Sequence, residues 1–426
     1  MLNKLILINI KLNFLFMKKT YSLSLIFLIF ARLIFVYYSS NFDSMIFTKD
    51  SFQYIYLSED IRNSFLTPKV DNYWINTFRL PGYPMFLSFL VNFTDVKFII
   101  FTNFIFDIVS CFLIFKIIYK LKKDYYLCFL GSLLFIINPN VLISSTQIMT
   151  ENISMMLILI AFYFIDSEKN KNIIFSGFCF AIFALIKPFG VYMLLFIILC
   201  KKIIFKIKLE KIGLFALFPL IFIGFIYFNN FQNYNTSFYS TSSYFHIQWL
   251  NDASESLCDD LGFNNIRVSE PGYRFEEWKD ENGFDQDTIP KTLIDGLRED
   301  SRENLFNNLD CKAISITRSS VWNMFGIRQS NWNNSFIKTP FLELIKIYSL
   351  IYVLMINFAL FVSYKFKKSK LESIYILFVL FYLLIVSILP FGNARTRVLI
   401  EPHLIIIFVT TLRNIFESRD YFFKKT

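Results

Sequence analysis

A chain of 426 residues, 55% of them hydrophobic and with a mean hydropathy of +0.48, is excluded from the soluble enzymes of two or three domains that its length would otherwise suggest. Its net charge of +10 would raise the question of nucleic acid in a soluble protein. Here the basic residues lie between long apolar runs, so they report orientation in a lipid bilayer and no nucleic-acid partner is expected. Aromatic residues make up 19%, which suits lipid-facing surfaces and interfacial belts.

Apolar runs of roughly 17 to 25 residues can cross a bilayer. They lie at about 21–40, 97–120, 126–147, 150–166, 171–187, 189–205, 211–231, 341–364, 371–391 and 397–415. The fold class expected is an all-α polytopic membrane protein of about ten transmembrane helices. Residues 1–20 are basic and apolar, but the run that follows is full length and no small-residue cleavage site succeeds it, so the first helix is read as retained. Three parts result: an N-terminal transmembrane module at 1–231 with a first external loop at 41–96, an external segment at 232–340, and C-terminal transmembrane helices at 341–426.

Every second connection is basic. With the N-terminus cytoplasmic, the inner segments collect 23 of the 43 Lys and Arg residues, including Lys120, Lys122, Lys201, Lys368 and Arg413. That obeys the positive-inside rule and puts both termini in the cytoplasm, in a plasma or inner membrane. The 109-residue segment 232–340 carries 16 acidic and 10 basic residues, with turn signals at Glu270-Pro271-Gly272 and Glu281-Asn282-Gly283 and a helix-like run from Asp295 to about Gly326. A small, partly helical external domain is expected there. Of six cysteines, Cys111, Cys128, Cys179 and Cys200 fall in or at apolar spans as small buried hydrophobes. Cys258 and Cys311 share the external segment, where either a disulfide closing a loop of about 50 residues or two separate thiols is open.

Polar chemistry gathers at span boundaries on the external side. In chain order it comprises Asp50 before an aromatic stretch, the run Arg79-Leu80-Pro81-Gly82-Tyr83-Pro84, Thr150-Glu151 opening a span, Lys187-Pro188 closing another, and Arg395-Thr396-Arg397 ahead of Glu401-Pro402. Each has a plainer reading: Asp50 as a helix cap, Glu151 as a favourable charge at a helix N-terminus, the cations as residues reaching lipid headgroups. Arg32 and Asp107 lie inside spans, where charge is expensive, and are expected to pair with each other.

In order and sidedness these runs resemble the lipid-sugar-dependent glycosyltransferases of the GT-C fold, especially the protein mannosyltransferase and aminoarabinose transferase type of the family 39-like group. The acidic pair common in the first loop of the mannosyltransferases is Asp50-Ser51 here, and the large external segment precedes the last three spans instead of following them. The resemblance implies inverting transfer of a sugar from a polyprenyl-phosphate carrier to an acceptor hydroxyl of a glycolipid, polysaccharide or protein outside the cytoplasm. It implies Asp50 as general base with Glu151 orienting sugar or acceptor. Arg79 and Tyr83 would bind at the first loop, and Lys187, Arg395 and Arg397 would bind the phosphate.

With two His in the chain and no zinc-like spacing, no metal site is assigned, and a divalent metal is compatible with the chemistry without being demanded. No nucleotide-binding motif is present in the sequence, which fits a donor that arrives on lipid. Two other classes compete. A transporter or flippase would need boundary cations and polar groups midway along several spans, but no external base. An O-antigen polymerase or ligase would leave Asp50 and the Arg79–Pro84 run unexplained.

Overall fold

The computed structural model describes residues 23–41, 46–64, 78–91, 96–242, 244, 290–306, 309–325, 339–387 and 397–423. Helices and turns account for them, with no strand among the described residues. Arg395, Cys258 and the turn signals near 270 and 282 lie outside them.

The helices, in chain order, begin with α1 (Leu23–Ser39), α2 (Lys49–Ser64), α3 (Gly82–Val91) and α4 (Val96–Lys122). A kinked pair follows, α5 (Tyr125–Ile136) and α6 (Pro139–Ser145), then α7 (Glu151–Tyr163), α8 (Asn170–Ile186), α9 (Gly190–Leu199) and α10 (Leu209–Tyr234). Segment 232–340 contributes α11 (Pro290–Leu305) and α12 (Leu309–Phe325). The chain closes with α13 (Thr339–Phe366), α14 (Lys370–Ser387) and α15 (Glu401–Phe423).

This is an all-α membrane protein, but its spans are fewer than ten. Four helices among the described residues, α4, α10, α13 and α14, are long and apolar enough to cross, and the pair α5 and α6, bent by 56°, makes a fifth if counted as one span. Counting apolar residues overlooks breaks. Helix α7 has 13 residues, and at a rise of about 1.5 Å it covers only about 20 Å of a roughly 30 Å hydrocarbon layer. The run read as 126–147 is interrupted because Asn138 caps a new helix, its Oδ1 accepting from Val141 N at 3.0 Å, with Pro139 in the first turn.

Apolar side chains are turned outward as well as inward. Phe27 is 69% exposed, Phe228 60%, Phe358 69% and Leu384 61%, on α1, α10, α13 and α14. Helix faces of that kind are stable only against lipid. Inside, small residues set the spacing: a Cβ at Gly177 of α8 would lie 2.2 Å from the Phe215 carbonyl oxygen of α10, so those backbones touch.

The two ends of the bundle differ. At one, Lys122 Nζ donates to Glu372 at 2.8 Å and to Asn414 at 2.5 Å, Lys368 pairs with Glu417 at 2.6 Å, Lys120 pairs with Asp166, and Lys201 donates to the Ile165 carbonyl at 2.8 Å. These are residues that the charge pattern assigned to one side, and they meet. The opposite ends of α7 and α8 carry Glu151 and Lys187, which pair there. In segment 232–340, Cys311 of α12 is disulfide-bonded. Ile294 of α11 packs against Tyr234 and Phe238, and Arg298 donates to the Ser237 carbonyl at 2.9 Å.

Candidate functional site

Asp50 stands in the first turn of α2. Its Oδ1 accepts from Arg79 Nη2 at 2.6 Å, while Arg79 also donates to Gln53 Oε1 through Nε at 2.9 Å and Nη2 at 2.7 Å. The guanidinium lies over the rings of Tyr54, at 5.1 Å, and Phe78, at 4.8 Å. Arg79 thus clamps the start of α2, with a planar, stacked geometry that a lysine would not reproduce.

Tyr83 is fully buried, its ring edge-on to Tyr54 at 5.0 Å and stacked on Phe86 at 6.1 Å. Tyr83, expected as a substrate-binding residue, stands in the first turn of α3 and packs its ring against α2 through Tyr54. Gly82 serves the same packing. A Cβ there would approach the Leu185 carbonyl oxygen to 2.7 Å, so the Arg79–Pro84 run can cross α8 two residues before Lys187 only with glycine at that position.

Glu151, 4% exposed at its side chain, pairs with Lys187 at 3.3 Å. Thr150 precedes α7 but makes no side-chain cap bond; its hydroxyl instead accepts from Lys187 Nζ at 2.6 Å. One lysine therefore draws both Thr150 and Glu151 toward the end of α8.

The two carboxylates are joined through the turn between α6 and α7. Ser51 Oγ donates to the Ile148 carbonyl at 2.9 Å, Ile148 N donates to the Ile46 carbonyl at 3.1 Å, and Asn103 of α4 donates to the Gln147 carbonyl at 2.7 Å. Asp50 and Glu151 thus flank one docked contact. On the remaining side, Ser240 donates to the Phe78 carbonyl at 2.9 Å and Tyr239 to the Ala184 carbonyl, so the chain leaving α10 for the external segment runs past both Arg79 and Lys187.

Beneath this cluster lies a buried polar network. Arg32 and Asp107 pair at 2.6 Å, as expected. Arg32 also donates to the Ile136 carbonyl at 2.7 Å, and Asp107 accepts from Asn152 Nδ2 at 2.7 Å and from Ser145. The next residue after Glu151 is thereby tied to α1 and α4.

Arg397 is elsewhere. Fully buried, it donates Nε to Glu401 at 2.5 Å, and among the described residues its bonds run to Glu401 alone. Glu401 is further held by Asn138 at 3.0 Å and Asn140 at 2.8 Å, and Asn138 also meets the Tyr352 hydroxyl at 3.2 Å. Among the described residues, Nη1 and Nη2 of Arg397 have no hydrogen-bond partner. An orphaned pair of guanidinium donors in a buried setting is costly unless an acceptor arrives. The sequence grouped Arg397 with Lys187 as phosphate binders, whereas the fold gives Arg397 its own setting between α6, α13 and α15.

Asn138, Asn140, Asn152 and Gln53 escaped sequence reasoning. Asn138-Pro139-Asn140 did carry a signal, since two amides around a proline inside an apolar run mark a broken helix with polar work to do. Among the described residues, no three His, Cys, Asp or Glu side chains come together as a metal site would require. The sequence matches no protein-family model and no curated protein.

Proposed function

We propose that this membrane protein is a glycosyltransferase that moves a sugar from a polyprenyl-phosphate carrier to an acceptor hydroxyl, with a GT-C-like arrangement, on the extracytoplasmic side. The observation that carries this reading is the meeting of Asp50–Arg79 and Glu151–Lys187 at one end of the bundle, from four separate stretches of sequence. Paired carboxylates and cations at a bilayer boundary suit acid–base chemistry on a charged lipid headgroup.

In this scheme the acceptor oxygen attacks the anomeric carbon as its proton passes to an Asp50 carboxylate oxygen. The bond from anomeric carbon to phosphate oxygen breaks, and its electron pair leaves with the lipid phosphate. Lys187 is the nearby cation for that developing charge, Arg395 and Arg397 being further candidates, and a site poor in water strengthens such contacts. Glu151 orients sugar or acceptor by hydrogen bonding. Arg79 holds Asp50 aligned, so acceptor binding must share the carboxylate with a guanidinium. A glycolipid, polysaccharide or protein hydroxyl is a suitable acceptor, and a divalent ion is no required part of the scheme.

The test is incubation of the purified protein in nanodiscs with labelled polyprenyl-phosphate sugars, following release of free lipid phosphate. Asp50→Asn should abolish release while leaving donor binding intact; undiminished turnover removes Asp50 from the chemistry. A second reading, transport of a lipid-linked or anionic substrate, draws on the buried polar groups of α1, α4, α6, α7 and α15, among them Arg32, Asp107, Asn140, Asn152 and Glu401. Movement of labelled donor across proteoliposomes without bond cleavage would favour it.

A further inference from the structure

We infer that Ser51 is a positioning residue: its hydroxyl latches the Asp50-bearing helix onto the turn that carries Glu151, so that the two carboxylates form one rigid unit. The inference rests on the glycosyltransferase reading for its catalytic consequence and on geometry alone for the latch.

Ser51 is fully buried. Its Oγ accepts from Thr48 N at 2.9 Å and donates to the Ile148 carbonyl at 2.9 Å. The hydroxyl's one proton is therefore committed, and Ser51 cannot serve as an acid or base beside Asp50. The carbonyl it meets belongs to a turn already fixed on its other sides: Asn103 holds Gln147, Asp107 holds Asn152, and Lys187 holds Thr150. Helix α2 and the residues leading into it reach this turn through the bonds of Ser51 and Ile46 and the Thr48 hydroxyl on the Met149 sulfur at 3.1 Å. The turn is the fixed part and α2 the docked part. A side chain one residue from Asp50, bonded three residues before Glu151, sets the separation on which a two-carboxylate site depends.

The experiment reads distance and rate in the same variants. Tyr56 of α2 and Tyr192 of α9 are 38% and 53% exposed. The four free cysteines are buried, so spin labels at Tyr56→Cys and Tyr192→Cys report α2 against the Lys187 end of α8. In the full chain in nanodiscs, Ser51→Ala should broaden that distance distribution and lower kcat by about tenfold or more with donor KM unchanged. Ser51→Thr, which keeps the hydroxyl, should restore both.

A wild-type distribution in Ser51→Ala overturns the latch. A broadened distribution with wild-type kcat overturns its role in positioning. If the unsubstituted protein releases no lipid phosphate from any donor, the glycosyltransferase reading falls, and the latch still stands or falls on the distance measurement.

Discussion

Among the described residues two arginines are buried, and the protein treats them differently. Arg32 spends its Nη groups on the Ile136 carbonyl, Asp107 and Ser145, and Asp107 in turn is saturated by Asn152 and Ser145. Arg397 meets one carboxylate through Nε and leaves two nitrogens with no partner, while Glu401 is satisfied by two asparagines besides. Equal burial thus conceals different uses. Among the described residues Arg32 leaves only Nε without a partner, whereas Arg397 leaves both terminal nitrogens, and an arginine with that many donors to spare suits an anion.

The largest expected effect separates these two directly. Arg32→Leu strands the Asp107 charge among α1, α4 and α7 and should cost about 3 to 5 kcal/mol of stability, seen as a fall in the thermal midpoint of the detergent-solubilised protein. Arg397→Leu should cost less, because it removes the single bond to Glu401 where Arg32→Leu removes bonds to Ile136, Asp107 and Ser145, yet weaken binding of a phosphate-bearing lipid. Equal destabilisation by both, with unaltered lipid affinity, would erase the distinction.

Next comes Asn138→Ala. It removes a donor to Glu401 and a partner of Tyr352, for about 1 to 3 kcal/mol, and a midpoint unchanged within error would show Glu401 does not depend on it.

Gly82→Ala tests the other cluster. The added methyl meets a backbone oxygen at 2.7 Å, so α3 must back away from α8 at a cost of about 1 to 3 kcal/mol. Transfer should suffer more than stability, because Arg79 and Lys187 are carried apart; a variant as active as the parent would uncouple the two pairs.

The smallest effect belongs to the basic end. Glu417 is held below its usual pKa of 4.5 first by the hydrogen bond from Lys368 and then by that ammonium's charge and by Arg413. A depressed carboxylate contributes stability above its unfolded pKa, and the contribution disappears as pH falls through the folded value. Below about pH 4.5, therefore, the midpoint of the parent should fall slightly more than that of Glu417→Gln. The pair is more than a third exposed, so salt should remove most of the difference.

Particular residues show where sequence reading succeeded. Arg32 and Asp107 were expected to pair because two isolated charges in neighbouring spans have few other places to go, and they do pair. Lys120, Lys122, Lys201, Lys368 and Arg413 were assigned to one side by alternation of charge, and their ion pairs and carbonyl contacts gather at one end. Asp50, Arg79, Glu151 and Lys187 were nominated together and come together. That Tyr83 packs between Tyr54 and Phe86 was not legible, because composition around a motif does not tell which neighbour a helix face meets. The span count failed for a related reason: hydropathy averages over Asn138-Pro139-Asn140 and smooths away a 56° bend.

The sequence by itself determined that this chain lives in a membrane, that it is helical, and which charged residues share a side. Those properties follow from the solvent, since hydrocarbon rejects unpaired backbone and unpaired charge wherever they occur. Only the tertiary structure decided which carboxylate meets which cation, that Ser51 docks α2 on the Glu151 turn, and that Arg397 is buried with donors to spare. Those depend on contacts between residues 29 to 263 positions apart, and no local pattern encodes such a distance.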